Sequence, residues 1–311
     1  MSSGSESNSI FDEIKNLATE QRNPNSLNID SLQSGEILKL INDEDKLVAL
    51  AIEKELPFIN HAVDKIVGSL KAGGRLLYFG AGTSGRLGVL DAVECPPTFG
   101  TPHDLIEGFI AGGKEAMFKA QEGAEDSEEL GANDVVNANV TKRDIVCGLA
   151  ASRRTPYVIG AIKKAKQTGA ATLFVTCNPR NSFHFPEVDI AICPEVGPEI
   201  IMGSTRMKSG TAQKMVLNML TTTAMIRLGK VYENMMIDLQ LTNKKLVERA
   251  KRIFMIITNA SYEEAGEFLN KANGNVKSAL VMKKCSVDFE KAKEALLKSD
   301  GFVRRAIELL S

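Results

Sequence analysis

The chain has 311 residues, enough for one large core with an appendage or for two domains. Its hydrophobic content is 43%, its charged content 25% and its net charge −1. That balance is ordinary for a globular protein and carries no bulk basicity that would draw nucleic acid or an anionic membrane, so any anion site must be local. The five cysteines (Cys95, Cys147, Cys177, Cys193, Cys285) are scattered, with no CxxC and no Cys/His cluster. They read as reduced, mostly buried thiols of a cytoplasmic protein rather than a disulfide frame. The histidines (His61, His103, His184) show no ligand spacing, so no metal is expected.

The N-terminal "MSSGSESNS" has no basic or apolar region of a signal peptide, and residues 1–18 read as a disordered tail. No apolar stretch is long enough to span a bilayer. Residues 34–72 carry apolar residues at helical spacing and end at Gly73-Gly74. Short, nearly continuous apolar runs follow: Arg75–Gly80, Gly108–Gly113, Asp144–Ser152, Thr172–Cys177 and Val188–Pro194. A strand covered on both faces needs such a run. Helical patterns, "KEAMFKAQEGA" and "TPYVIGAIKKAKQTG", fall between them. The alternation predicts an α/β fold with a doubly wound parallel sheet. One long helical pattern then runs from Ser209 to Thr258.

The last fifty or so residues repeat. Ser261–Leu280 aligns without gaps on Asp288–Ile307, at a period of 27. Each unit is a short helix, a turn at Gly274 or Gly301, and a second helical stretch with Val and Ala inward. This predicts a small helical domain resembling ubiquitin-associated folds, read first as a docking or dimer-stabilising appendage.

Behind the first apolar run stands "GAGTSG", formally the dinucleotide fingerprint G-x-G-x-x-G. That fingerprint also needs an acid at the end of the second strand, about 20 residues on. Here the second run ends in glycines, and Glu107 precedes it. The informative letters are Thr83 and Ser84 beside Gly82. Hydroxyls and backbone N–H groups leading into a helix suit a compact phosphate monoester. A second strand-to-helix loop, Ser152-Arg153-Arg154-Thr155, has the same chemistry. Either loop alone would pass as an ordinary N-cap; the pair, at equivalent positions, points to one phosphate held from both sides.

Five strings, "GAGTSGRLGVLDAVECPPTFG", "EGAEDSEELG", "AASRRTPYVIGA", "GPEIIMGSTRMKSGTAQKMVLNML" and "TEQRNPNS", closely resemble those of the N-acetylmuramic acid 6-phosphate etherases, a branch of the sugar isomerase (SIS) family. The resemblance runs from about Thr19 to the C-terminus. It implies a three-layer αβα sandwich with a five-stranded parallel sheet in flavodoxin-like winding. The SIS domain with flanking helices would span 19–250, its core about 66–229, and the small helical domain 251–311. It further implies a homodimer with sites near the interface, and cleavage of the D-lactyl ether of N-acetylmuramate 6-phosphate without metal or redox cofactor. By the same resemblance Glu94 is the acid that protonates departing lactate and Glu125 the base at C2. Taken alone, Glu125 reads as a solvated acid on a charged stretch, and Glu94 as a carboxylate just past a helix that Pro96 and Pro97 end. Ser204, Thr205, Arg206, Lys208 and Thr211, with Glu195 and Glu199 just before them, contact the sugar or lactyl carboxylate, or cap the helix that follows. "TEQRNPNS" reaches a neighbouring subunit's site or forms a plain turn at Pro24. One position departs from the family's pattern: Arg153 stands where a Gly would allow close backbone approach to phosphate, so it either adds a charge-assisted contact or crowds the site. The same motifs leave two other readings, a non-catalytic sugar-phosphate sensor and an aldose–ketose isomerase. The sensor needs neither glutamate; the isomerase needs no acid at C3.

Overall fold

The computed structural model describes residues 17–121, 123–239, 241 and 244–311. Most of the expected tail, residues 1–16, lies outside them. Leu17 and Ala18, also assigned to that tail, are packed into the fold: Leu17 is buried and the Ala18 amide donates to Asn178 Oδ1 at 3.1 Å.

Five parallel strands form the main sheet: β1 (Leu76–Gly80), β2 (Ile106–Ile110), β3 (Ile145–Leu149), β4 (Ala171–Val175) and β5 (Ile190–Ile192), in the order β2-β1-β3-β4-β5. All residues of β1 and β3 are buried, as continuous apolar runs require. The sheet is covered on both faces. Leu77, Phe79, Val146 and Phe174 pack on one helix, Pro156–Gln167. Tyr78 and Leu149 point to the other face, where they meet the helix Gly82–Phe99 so closely that a methyl on its Gly88 would lie 2.9 Å from each. The strand order reverses its direction of growth between β1 and β3. A ligand crevice therefore belongs at the carboxyl ends of these two strands, which carry the Gly82 and Ser152 loops.

The helices, in chain order, are α1 (Ser34–Glu53), α2 (Leu56–Lys71), α3 (Gly82–Phe99), α4 (Glu128–Asn137), α5 (Pro156–Gln167) and α6 (Lys208–Arg227). After them come a small antiparallel hairpin, β6 (Val231–Tyr232) and β7 (Met235–Met236), and helices α7 (Lys244–Thr258), α8 (Tyr262–Lys271), α9 (Val276–Cys285), α10 (Phe289–Lys298) and α11 (Val303–Leu310).

Several local expectations are corrected. The helix expected over 34–72 is two, because Pro57 takes the first turn of α2, where its missing N–H costs nothing. β2 starts at Ile106, so Glu107 is inside the strand and ion-paired to Arg75, while Gly112 and Gly113 form a positive-φ turn after it. Among the described residues of 114–124 there is no α-helix. They hold 3₁₀ turns at Gly113–Met117 and Ala124–Asp126, flanked by left-handed Gly112 and Gly123. The helix comes later, at α4, started by Ser127, whose side chain accepts from the Leu130 amide. Pro96 and Pro97 do not end α3: it continues to Phe99, so Glu94 lies on the helix rather than after it. The pattern over 209–258 breaks after α6 at Gly229, φ +71, and turns into the hairpin.

The chain divides into two compact units, one holding residues up to 92 and 104–220, the other 93–103 and 221–311. The second has its own apolar core around Phe254, Leu269, Val276, Leu280 and Val303. Gly274 and Gly301 both turn at φ +78, and the Val and Ala that follow each of them are buried.

Candidate active site

The first loop leaves β1 through a tight turn at Gly82, φ +52, and enters α3. Gly85 lets the helix approach the strand, since a Cβ there would sit 2.7 Å from the Gly80 carbonyl oxygen. These glycines do the turning and packing of the dinucleotide pattern without its acid. Thr83 is half-buried. Ser84 is buried and its Oγ donates to Gln213 Oε1 at 2.8 Å. A cavity of about 300 Å³ opens beside Gly82, walled by Arg86 and Glu125. The Arg86 guanidinium donates to the carbonyls of Ala116 at 2.7 Å and Met117 at 3.0 Å, which fixes the turn after β2.

The second loop leaves β3. Thr155 occupies the N-cap position of α5, yet its hydroxyl makes no capping bond, and Pro156 needs none. A cavity of about 280 Å³ gathers Ser152, Arg154, Thr155, Glu125 and Glu20. Glu125 thus borders both cavities, and the structure brings it together with Gly82, Ser152, Arg154 and Thr155. Arg153 has φ +61, the left-handed region where Gly is at ease. That backbone explains why a Gly fits the family pattern here. Arg153 lines a neighbouring cavity of about 560 Å³, with Arg154, Lys163 and Phe185.

The third stretch is organised by two buried acids, Glu199 just ahead of it and Glu44 from far back in the chain. Glu199 accepts from the amides of Lys208 at 3.0 Å and Ser209 at 2.9 Å, so a carboxylate sits on the N-terminus of α6. Glu44, from α1, accepts from Lys208 Nζ at 2.6 Å, from Asn23 at 2.8 Å and from Asn25 at 2.9 Å. Burial pushes the Glu44 carboxyl up, but the bonds from Lys208, Asn25 and Asn23 outweigh it and hold it below the usual carboxylate range. Lys208 is thus the buried ion-pair partner of Glu44 at the start of α6. Ser204 and Thr205 remain half-buried ahead of α6. The Asn23–Ser26 stretch is a turn at Pro24, docked on its own chain by Ser26 Oγ donating to the Ile200 carbonyl at 2.7 Å.

Glu94 is exposed on α3, next to exposed Val93 and buried Cys95. Among the described residues, no cluster of His, Cys, Asp or Glu is placed to hold a metal ion, and no helix is long and apolar enough to cross a membrane.

A model of the SIS domain matches residues 114–223, and one of the glucokinase regulatory protein N-terminal SIS domain matches residues 58–166. An N-acetylmuramic acid 6-phosphate etherase of Salinibacter ruber is 56% identical over 304 residues, covering 97% of this chain and 97% of that one. One of Clostridium beijerinckii is 55% identical over 295 residues, covering 95% and 97%. The chain belongs to the N-acetylmuramic acid 6-phosphate etherase family. Within this etherase framework, Gln213 and Glu44 are the residues that the sequence alone did not point to; a polar side chain on the apolar face of α6 was the available signal for Gln213.

Proposed function

We propose that the protein cleaves the D-lactyl ether of N-acetylmuramate 6-phosphate, with water, to N-acetylglucosamine 6-phosphate and D-lactate. The observation that carries this is near-full-length identity to etherases in a chain whose Glu125 borders the cavities of both hydroxyl-bearing loops. An alkyl ether resists direct displacement, whereas the open-chain aldehyde makes the C2 proton acidic. Glu125 takes that proton, and the C3–oxygen bond breaks as Glu94 gives a proton to the departing lactate oxygen. Water then adds across the C2–C3 double bond, placing hydroxyl on C3 and a proton on C2. The atoms balance without an oxidant or a metal. The phosphate lies between the Gly82–Ser84 and Ser152–Thr155 loops, with Thr83, Ser152 and Thr155 donating hydroxyl protons and Arg154 countering charge. Ser204 and Thr205 face the sugar.

The functional unit is a homodimer. Leu90 and Val93 on α3 are 42% and 57% exposed, a pair of large apolar side chains beside Glu94 that a second copy would cover. The cytoplasm is the compartment that suits five free cysteines, and degradation of cell-wall amino sugars is the metabolic setting. Residues 251–311 act as a helical docking module.

D-lactate release from N-acetylmuramate 6-phosphate, measured for the wild type, Glu94→Gln and Glu125→Gln, tests the reading. The wild type releases lactate, and each variant loses at least about a hundredfold in rate. A silent wild type overturns the activity; two fully active variants overturn the two-carboxylate mechanism.

A further inference from the structure

Ser84 and Gln213 form a buried pair that the chemistry above leaves unexplained. A serine hydroxyl has one proton, and Ser84 directs it inward, to Gln213 Oε1 at 2.8 Å. A phosphate dianion offers only acceptor oxygens, so in this arrangement Ser84 has nothing to give it. The other half of the Gln213 amide is in the opposite condition. Gln213 is fully buried, and its Nε2, with two protons, has no hydrogen-bond partner among the described residues. A buried donor left unpaired is uncommon and unfavourable.

Half a turn about the Cγ–Cδ bond of Gln213 exchanges its nitrogen and oxygen, which are nearly equal in size. Nε2 then donates to Ser84 Oγ, and the Ser84 proton is released toward the loop. The amide oxygen left behind is a lesser liability than an unpaired N–H. Without an acceptor in the loop the released Ser84 proton would itself go unpaired. An anion oxygen there turns one hydrogen bond into a chain of two. The backing helix is close enough to make this specific: a Cβ on Gly210, three residues before Gln213, would lie 3.4 Å from the Thr83 methyl. The lysines nearest in sequence to Gln213 are already engaged, Lys208 with Glu44 and Lys214 with Asp91 and Asn218.

We propose that Gln213 is a positioning residue that switches Ser84 from an inward donor to a donor to the substrate phosphate. The inference rests on the reading that the Gly82–Ser84 loop takes that phosphate.

Calorimetric titration with N-acetylglucosamine 6-phosphate tests it without turnover. Gln213→Glu can only accept, holds the Ser84 proton inward and weakens binding at least thirtyfold. Gln213→Leu makes no hydrogen bond, so it neither holds the Ser84 proton inward nor orients it outward, and weakens binding about three- to tenfold, well short of the Glu variant. In a Ser84→Ala background, Gln213→Glu costs less than about fivefold more, which isolates the switch from simple charge repulsion. A structural role for Gln213 predicts instead that Leu is as damaging as Glu; that result overturns the proposal, as does a Gln213→Glu penalty unchanged by Ser84→Ala. Thermal unfolding of each variant shows that the compared proteins are folded. Failure of the etherase reading has a separate signature: no D-lactate release, with this pattern of affinities intact.

Discussion

Lys208 Nζ and Glu44 Oε2 lie 2.6 Å apart, with 3% and 6% of their side chains exposed. The pair joins α1 to the start of α6, and removing one member leaves a buried charge. Lys208→Met is expected to cost about 3 kcal/mol or more in urea unfolding. The pair also sets an acid limit. The Glu44 carboxyl sits below its ordinary value in the fold. Its contribution is therefore complete above the unfolded-state value of about 4.3 and is lost as pH falls through the lower folded value. The stability advantage of the wild type over Glu44→Gln should shrink as pH falls below about 4.3; an advantage that stays constant on acidification contradicts the assignment.

Arg153 carries the cost of a left-handed backbone at φ +61. Glycine removes that cost and gives back part of it through a more flexible unfolded chain. Arg153→Gly is expected to stabilise the protein by about 0.5–1 kcal/mol and to retain D-lactate release. Thermal melts and the lactate assay check both parts. A destabilised variant would mean that the side chain's contacts in the large cavity outweigh the strain.

The helices that hold the second loop touch backbone to backbone. A Cβ on Gly160 of α5 would lie 1.9 Å from the Glu128 carbonyl oxygen of α4. No side-chain rotation relieves such a clash. Gly160→Ala should therefore cost at least about 3 kcal/mol, at the upper end of overpacking effects. Denaturant unfolding measures it, and a loss under about 1 kcal/mol would show that the helices part easily.

The exposed pair on α3 makes the dimer testable. Leu90→Asp with Val93→Asp should convert a dimer into a monomer in sedimentation velocity, because burying two carboxylates in an apolar contact is strongly unfavourable. An unchanged sedimentation coefficient places the interface elsewhere.

The strands were readable because burial on both faces writes itself into consecutive residues, as in Leu76–Gly80 and Ile145–Leu149. Both hydroxyl-bearing loops were readable for a related reason: each follows such a run directly. Helix boundaries were less so. The 113–126 stretch has helical apolar spacing, but left-handed Gly112 and Gly123 divide it into 3₁₀ turns. Pro96 and Pro97 announce a stop that α3 does not make. Least legible were the partners of polar groups. The Lys208–Glu44 pair is one such case: the two residues lie 164 apart, and nothing local records the bond.

The bond from Ser84 to Gln213 spans 129 residues of chain. Closing so long a loop carries an entropic cost that local helix formation does not offset. During synthesis, the glycine-rich turn and its helix emerge well before the segment that backs them. A nascent chain halted before Gln213 would hold all five strands of the main sheet, while the Gly82–Ser84 turn would still lack the helix that backs it.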